Sequence, residues 1–169
     1  MSMFNKIAGF RDATDAGMTG FSLFMFVGMA MIGGYAVDVS NVMSDRTLLQ
    51  NTADAAAHAA LLSREYGTEA TARADALAVV QSNMPQATFG TILDGSSIVF
   101  GAWNAVSGTF TPQPGSREAV RVTVKQTAEN GNEIAAYLLP LVGFDFWELE
   151  LSSTYTAYLP TCFQEGFVA

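Results

Sequence analysis

Residues 18–37 read MTGFSLFMFVGMAMIGGYAV and contain no charged side chain. Asp15 lies shortly before this stretch, and Asp38 follows it directly. A helix of this length is about 30 Å long, which matches the hydrocarbon core of a bilayer. Lipid offers no partner to backbone amides, so an apolar run that crosses it has to be helical. The stretch therefore predicts a transmembrane helix.

Two other kinds of segment are also rich in apolar residues. A core helix of a soluble protein usually keeps a polar face, and residues 18–37 have none. A cleaved signal peptide has a shorter apolar run and a small-x-small cleavage site, of which Gly33-Gly34-Tyr35-Ala36 is a poor version. A retained membrane span fits the sequence better than either alternative.

The net charge of the chain is −8, and the acidic excess lies after the span. Nucleic-acid binding depends on Lys and Arg side chains that neutralise phosphates, so this composition argues against a nucleic-acid partner. An acidic domain is also repelled by anionic lipid headgroups. The single cysteine, Cys162, excludes an intramolecular disulfide and leaves either a spare thiol or a bond between chains.

The few basic residues near the span predict its orientation. Lys6 and Arg11 precede it, whereas the far side opens with Asp38 and has its first base at Arg46. Basic residues favour the cytoplasmic side of a membrane. We therefore expect a single-pass protein of the bacterial inner membrane, with its amino terminus in the cytoplasm and its carboxy-terminal domain in the periplasm.

The helix is predicted to continue past the membrane face. Residues 38–64 contain neither proline nor glycine and are rich in the strong helix formers Ala and Leu. Spacings of three, four and seven predict one apolar face, and a second stripe recurs every four residues and can pair internally. The apolar face contains Tyr35, Val39, Val42, Leu49, Ala53, Ala56 and Ala60, and the polar stripe contains Arg46, Gln50, Asp54 and His58.

The rest of the chain predicts a small α+β domain. Gly67 ends the long helix, and residues 68–84 read as a second amphipathic helix that Pro85 ends. Its expected apolar face is Ala70, Ala74, Leu77, Val80 and Met84. From residue 87 the pattern alternates every second residue, which is typical of an antiparallel sheet with one wet face. The expected strands lie within residues 87–93, 97–105, 118–126 and 147–159, and residues 132–143 are expected to form one or two helical turns.

The predicted fold class is therefore a membrane-anchored α+β protein. One long amino-terminal helix spans the membrane and extends into a stalk, and a small helix and an antiparallel sheet follow. The predicted segments are a cytoplasmic leader (1–16), a transmembrane helix (17–37), a helical stalk (38–64) and an extracytoplasmic domain (65–169).

The sequence predicts no catalytic residue, no cofactor and no metal site. The only histidine, His58, follows Asp54 by one helical turn and has no Ser or Cys partner nearby in the sequence, which favours a surface salt bridge. A zinc site needs three or four ligands, and one His with one Cys falls short of that. A hydrolase that uses Asp54 and His58 is the remaining enzymatic alternative.

Small side chains on the long helix predict a packing interface. Glycine and alanine let two helices approach closely in lipid, and an alanine-rich stalk does the same outside it. Glycine is also common in membrane helices in general, and alanine is a strong helix former in any helix. A packing interface and ordinary helix composition therefore both remain possible interpretations. The predicted interface residues are Gly28, Ala30, Gly33, Gly34, Ala53, Ala56 and Ala60.

Two blocks of sequence flank and follow the predicted span. The first comprises Phe10-Arg11-Asp12, Gly17 and, after the span, Ala36-Val37-Asp38. The second comprises Arg46, Leu49, Gln50 and Ala53-Asp54-Ala55-Ala56. Together they resemble the amino-terminal region of Tad (tight adherence) pilus-assembly proteins of the TadE/TadG type, and residues 100–103 and 119–132 are similar to the strand region of TadG-like members, which have a pilin-like form.

This resemblance implies a pseudopilin-like structural protein of a Flp-type pilus system, with roles in adhesion and biofilm formation. Its partners would be membrane lipid and other membrane or pilus-assembly proteins. Processed members carry Glu five residues after a cleavage-site Gly, whereas Ser22 and Met25 stand at that distance from Gly17 and Gly20. We therefore expect the leader to be retained. The alternative function is an accessory subunit of another integral membrane complex.

Overall fold

The computed structural model describes residues 14–157. The expectations on the leader and on Cys162 lie outside these residues. The described chain forms two compact units. One contains residues 14–41 and 136–145, and the other contains residues 42–135 and 146–157.

Helix α1 runs from Thr14 to Tyr66 without interruption and contains the whole predicted span. Gly67 follows directly after its end, and a Cβ atom there would lie 2.5 Å from Oγ1 of Thr71 and 3.0 Å from the backbone oxygen of Ser63. Only glycine fits this close approach. The prediction of one helix that continues past the span is confirmed, and its last residue, Tyr66, lies two positions beyond the predicted end of the stalk.

The second helix is confirmed as α2, Glu69–Asn83, and the Thr68 side chain caps it by accepting from the backbone N–H of Thr71 at 3.2 Å. Its predicted apolar face is wrong in part. Ala70 and Ala74 are exposed and Leu77 lies at the surface. The buried face contains Ala72, Ala76, Val80 and Met84.

The strand predicted at residues 87–93 is wrong. Gln86–Phe89 is a single helical turn, α3, and Gly90 follows with a φ of +69°. The buried amide of Asn132 then donates to the backbone oxygens of Phe89 at 3.2 Å and Thr91 at 3.1 Å. A side chain therefore binds the carbonyls that a strand would offer to a neighbouring strand.

Four antiparallel strands form the main sheet of the second unit: β1 (Ile98–Asn104), β2 (Thr109–Pro112), β3 (Ala119–Gln126) and β6 (Leu149–Thr156). Their order in the sheet is β2-β1-β3-β6. The sheet confirms the predicted antiparallel arrangement and three of the four predicted strands. Val122 pairs with Ile98 on one side and with Ser153 on the other, so β3 is a central strand.

A two-stranded sheet is formed by β4 (Ile134–Ala135) and β5 (Phe146–Trp147). Residues 136–145 connect these two short strands and contain a 3-10 turn, Leu139–Val142, that ends at Gly143 with a φ of +85°. The expected helical turn within residues 132–143 is therefore present as one short turn.

The hydrophobic core of the second unit lies between the second half of α1, helix α2 and the sheet. The alternation predicted for β3 is confirmed, since Val120, Val122 and Val124 are fully buried. Arg64, at the end of α1, donates to the backbone oxygens of Gly67 and Gly115, both at 2.8 Å. These bonds hold the turn that precedes β3 against the end of the helix.

Candidate functional site

The first half of α1 exposes an apolar surface. Among the described residues, α1 is the helix that is long and apolar enough to cross a membrane, and only 6% of its apolar window is buried within the protein. A core helix would be covered by its own fold, so this exposure argues against that alternative. The exposed side chains include Met18, Phe21, Leu23, Phe24, Phe26, Met29, Ile32 and Val37.

The four small residues predicted as an interface in this half differ in what they meet. Gly28 is half-buried, Ala30 and Gly33 are exposed, and a side chain at Gly28 or Gly33 would meet nothing within 4 Å. Gly34 is buried by Leu138. A Cβ atom at position 34 would lie 3.1 Å from Cβ of Leu138. Gly34 thus accommodates the protein's own loop, and Gly28, Ala30 and Gly33 stay predicted contacts.

The three alanines predicted as an interface in the stalk require a correction. Ala53, Ala56 and Ala60 are fully buried in the hydrophobic core of the second unit. Their small side chains do permit close packing, but on α2 and the sheet of the same chain. These three side chains are therefore not accessible to a partner helix.

Asp38 is a buried polar side chain of the first unit. It is 1% exposed, and its carboxylate accepts three backbone N–H bonds. The N–H of Tyr137 donates to Oδ1 at 2.9 Å, and those of Leu138 and Leu139 donate to Oδ2 at 2.9 Å and 2.8 Å. One carboxylate thus satisfies three successive amides from a segment about 100 positions away in the chain.

The charge of Asp38 is stabilised by these bonds. Burial acts to raise the pKa of the carboxyl, because a charged group loses hydration there. The backbone N–H groups of Leu139, Tyr137 and Leu138 outweigh that effect and hold the pKa of Asp38 below its ordinary value. Asp38 is therefore an anion at neutral pH, just past the end of the predicted span.

The polar residues considered for catalysis do not form a reactive arrangement. Asp54 accepts from the side-chain amide of Gln50 at 2.9 Å, as the predicted polar stripe implies. His58 instead packs its ring edge-on against Tyr155, with centroids 5.1 Å apart. Within residues 14–157, no ion pair joins Asp54 to His58, and no three His, Cys, Asp or Glu side chains are grouped to hold a metal.

The exposed apolar helix, its continuation into a buried helix and the following α2 form one continuous segment of sequence. Residues 16–80 match the family described as "Putative Flp pilus-assembly TadE/G-like". This match confirms the resemblance found in the sequence. It covers well under half of the chain. No curated protein and no solved structure matches the sequence.

The TadE/G-like segment supports a role in pilus assembly, and its exposed helix fits a single-pass membrane protein. The segment contains Asp38, but the loop that Asp38 binds lies beyond it, at residues 136–145. Sequence reasoning missed this contact. A usable signal was present, because residues 134–144 read IAAYLLPLVGF and are uncharged between Glu133 and Asp145.

Proposed function

We propose that this chain is a structural component of a Tad (Flp-type) pilus-assembly machinery, held in the membrane by a single span. The observation that carries the proposal is the family match over residues 16–80, which includes the whole exposed apolar helix. An uncovered membrane helix is suited to packing against the helices of other membrane subunits.

The proposed topology places residues 1–16 in the cytoplasm, residues 17–37 in the inner membrane and residues 38–169 in the periplasm. Lys6 and Arg11 on the amino-terminal side support this orientation, because basic residues favour the cytoplasmic face. On the opposite side the span is followed by Asp38, and the first basic residue is Arg46.

The proposed mechanism is assembly without catalysis. The span offers its apolar surface to lipid and to other membrane or pilus-assembly proteins, and Gly28, Ala30 and Gly33 are the positions where a partner helix can approach most closely. The buried stalk alanines stabilise the domain that follows. The first half of α1 thus contacts partners, and the second half supports the fold of the domain.

Photocrosslinking from native membranes tests this proposal. A photoreactive amino acid at Ile32 faces outward from the span, where the native side chain is 72% exposed. The same amino acid at Val106, which is 100% exposed in the turn between β1 and β2, is the matched control outside the membrane. Mass spectrometry identifies the proteins joined to each position.

We expect pilus-assembly membrane proteins among the products from position 32 and not among those from position 106. Products from position 32 that contain only subunits of a different membrane complex would refute the pilus role. That outcome would instead support the alternative function, an accessory subunit of such a complex.

A further inference from the structure

The loop of residues 136–145 has a composition unlike that of a solvated turn. Eleven consecutive residues, from Ile134 to Phe144, carry no charge, and Glu133 and Asp145 bound them. Leu141 is 86% exposed, and Tyr137, Leu138 and Phe144 are also exposed. Water is a poor environment for so many large apolar side chains on one short loop.

Most backbone N–H groups of this loop have acceptors within the protein. The amides of Tyr137, Leu138 and Leu139 bind Asp38, and Pro140 has no N–H to satisfy. The remaining bonds run from Ala136 to Asp145, from Leu141 to Leu138, from Gly143 to Pro140 and from Phe144 to Leu139, at 2.9–3.3 Å. Non-helical backbone tolerates a lipid environment only when its polar groups have partners of this kind.

The loop also lies beside the predicted span. Leu138, Leu139 and Leu141 line an apolar cavity of about 420 Å³ together with residues of α1 that include Phe26 and Ala30. Phe26 lies twelve residues before Asp38, which is about 18 Å along a helix. The cavity between the loop and α1 therefore extends along the part of α1 that is predicted to lie in hydrocarbon.

We propose that residues 136–144 form a second membrane-embedded element, which inserts into the leaflet on the Asp38 side of the span. The Asp38 carboxylate anchors the loop at the membrane surface, and lipid acyl chains cover Leu141 and fill the apolar cavity. This inference rests on α1 crossing a membrane and is independent of the pilus role.

Spin-label accessibility in phospholipid vesicles tests the insertion. In a full-length Cys162→Ser background, single labels are placed at Leu141→Cys, Met29→Cys and Val106→Cys. All three native side chains are largely exposed, so the labels do not disturb a core. Position 29 is the standard for lipid, because it lies mid-span, and position 106 is the standard for water. Oxygen relaxes labels in lipid, and a water-soluble nickel chelate relaxes labels in water.

We expect the label at position 141 to behave like the label at position 29, with high accessibility to oxygen and low accessibility to nickel. A nickel accessibility equal to that at position 106 would place the loop in water and overturn the proposal. Low accessibility to both reagents would mean that protein, such as a second copy of the chain, covers the loop, and it would overturn the proposal as well.

Discussion

The two halves of α1 contain similar small and apolar residues and differ in what surrounds them. In residues 18–37 the large side chains are exposed, and Gly33 meets nothing within 4 Å. In residues 49–60 the alanines at 53, 56 and 60 are fully buried by α2 and the sheet. The first half is thus left uncovered by its own chain, whereas the second half is covered by it. Composition alone does not tell these two situations apart.

The largest effect is expected from enlarging a small residue in the covered half. Ala56→Leu adds three carbons where no space remains and should lower the free energy of unfolding by roughly 3 kcal/mol. Ala36→Leu, on the exposed half, should change it by less than about 0.5 kcal/mol. Denaturant unfolding in detergent, followed by the fluorescence of Trp103 and Trp147, measures both. Equal effects of the two variants would show that the halves do not differ in packing.

A smaller and more local effect is expected from replacing Asp38, which directly follows the first half of α1. Asp38→Ala removes the acceptor of three amides and should abolish the exchange protection of Tyr137, Leu138 and Leu139, because no other acceptor replaces it. The matched control is Asp54→Ala, which removes an exposed acceptor of Gln50 on the same helix. Hydrogen exchange with mass spectrometry compares the two variants. Protection that survives in Asp38→Ala would contradict the anchoring role.

The pH dependence of the loop should follow the lowered pKa of Asp38. Because the carboxyl binds its proton less readily in the folded state, docking is at full strength above the ordinary value of 3.8 and is lost as pH falls through the lower folded pKa. A spin label at position 141 should thus have the same mobility between about pH 5 and pH 7 and become mobile only below the ordinary value. Release of the loop near neutral pH would contradict this assignment.

The smallest effect on stability is expected at the exposed glycine of the first half. Gly33→Leu meets open space, so insertion and unfolding should change by less than about 0.5 kcal/mol. Recovery of crosslinked partners from position 32 should nevertheless fall, since a bulky side chain separates helices. Gly34→Leu is the contrasting variant, because its side chain meets Leu138 and should displace the loop. Unchanged crosslinking in Gly33→Leu would remove this face from the predicted interface.

Much of the fold could be predicted because its signals are local. The uncharged run of residues 18–37 and the alternation of Val120, Val122 and Val124 each determine one environment for their own segment. The buried face of α2 was harder to predict, because Ala70 and Ala74 are as apolar as Ala72 and Ala76. Only the position of the neighbouring helix and sheet decides which pair is covered.

The candidate site was less accessible to sequence reasoning. The partners of Asp38 are backbone amides, which every residue except proline possesses, so no side-chain pattern indicates them. The separation of about 100 positions removes any periodic relation between the helix and the loop. The correction of Ala53, Ala56 and Ala60 has a similar origin, because a small-residue face predicts close packing without identifying the partner.

The bond between Asp38 and the loop also has a consequence for biogenesis. During translation at about 5–20 residues per second, roughly 5–20 s separate the synthesis of Asp38 from that of Tyr137. Throughout that interval residues 18–37 are already synthesised, while the Asp38 carboxylate that follows them still lacks its amide partners. Closure of the first unit is therefore a late step of maturation. A chain interrupted before residue 137 would leave this carboxylate without its three backbone donors.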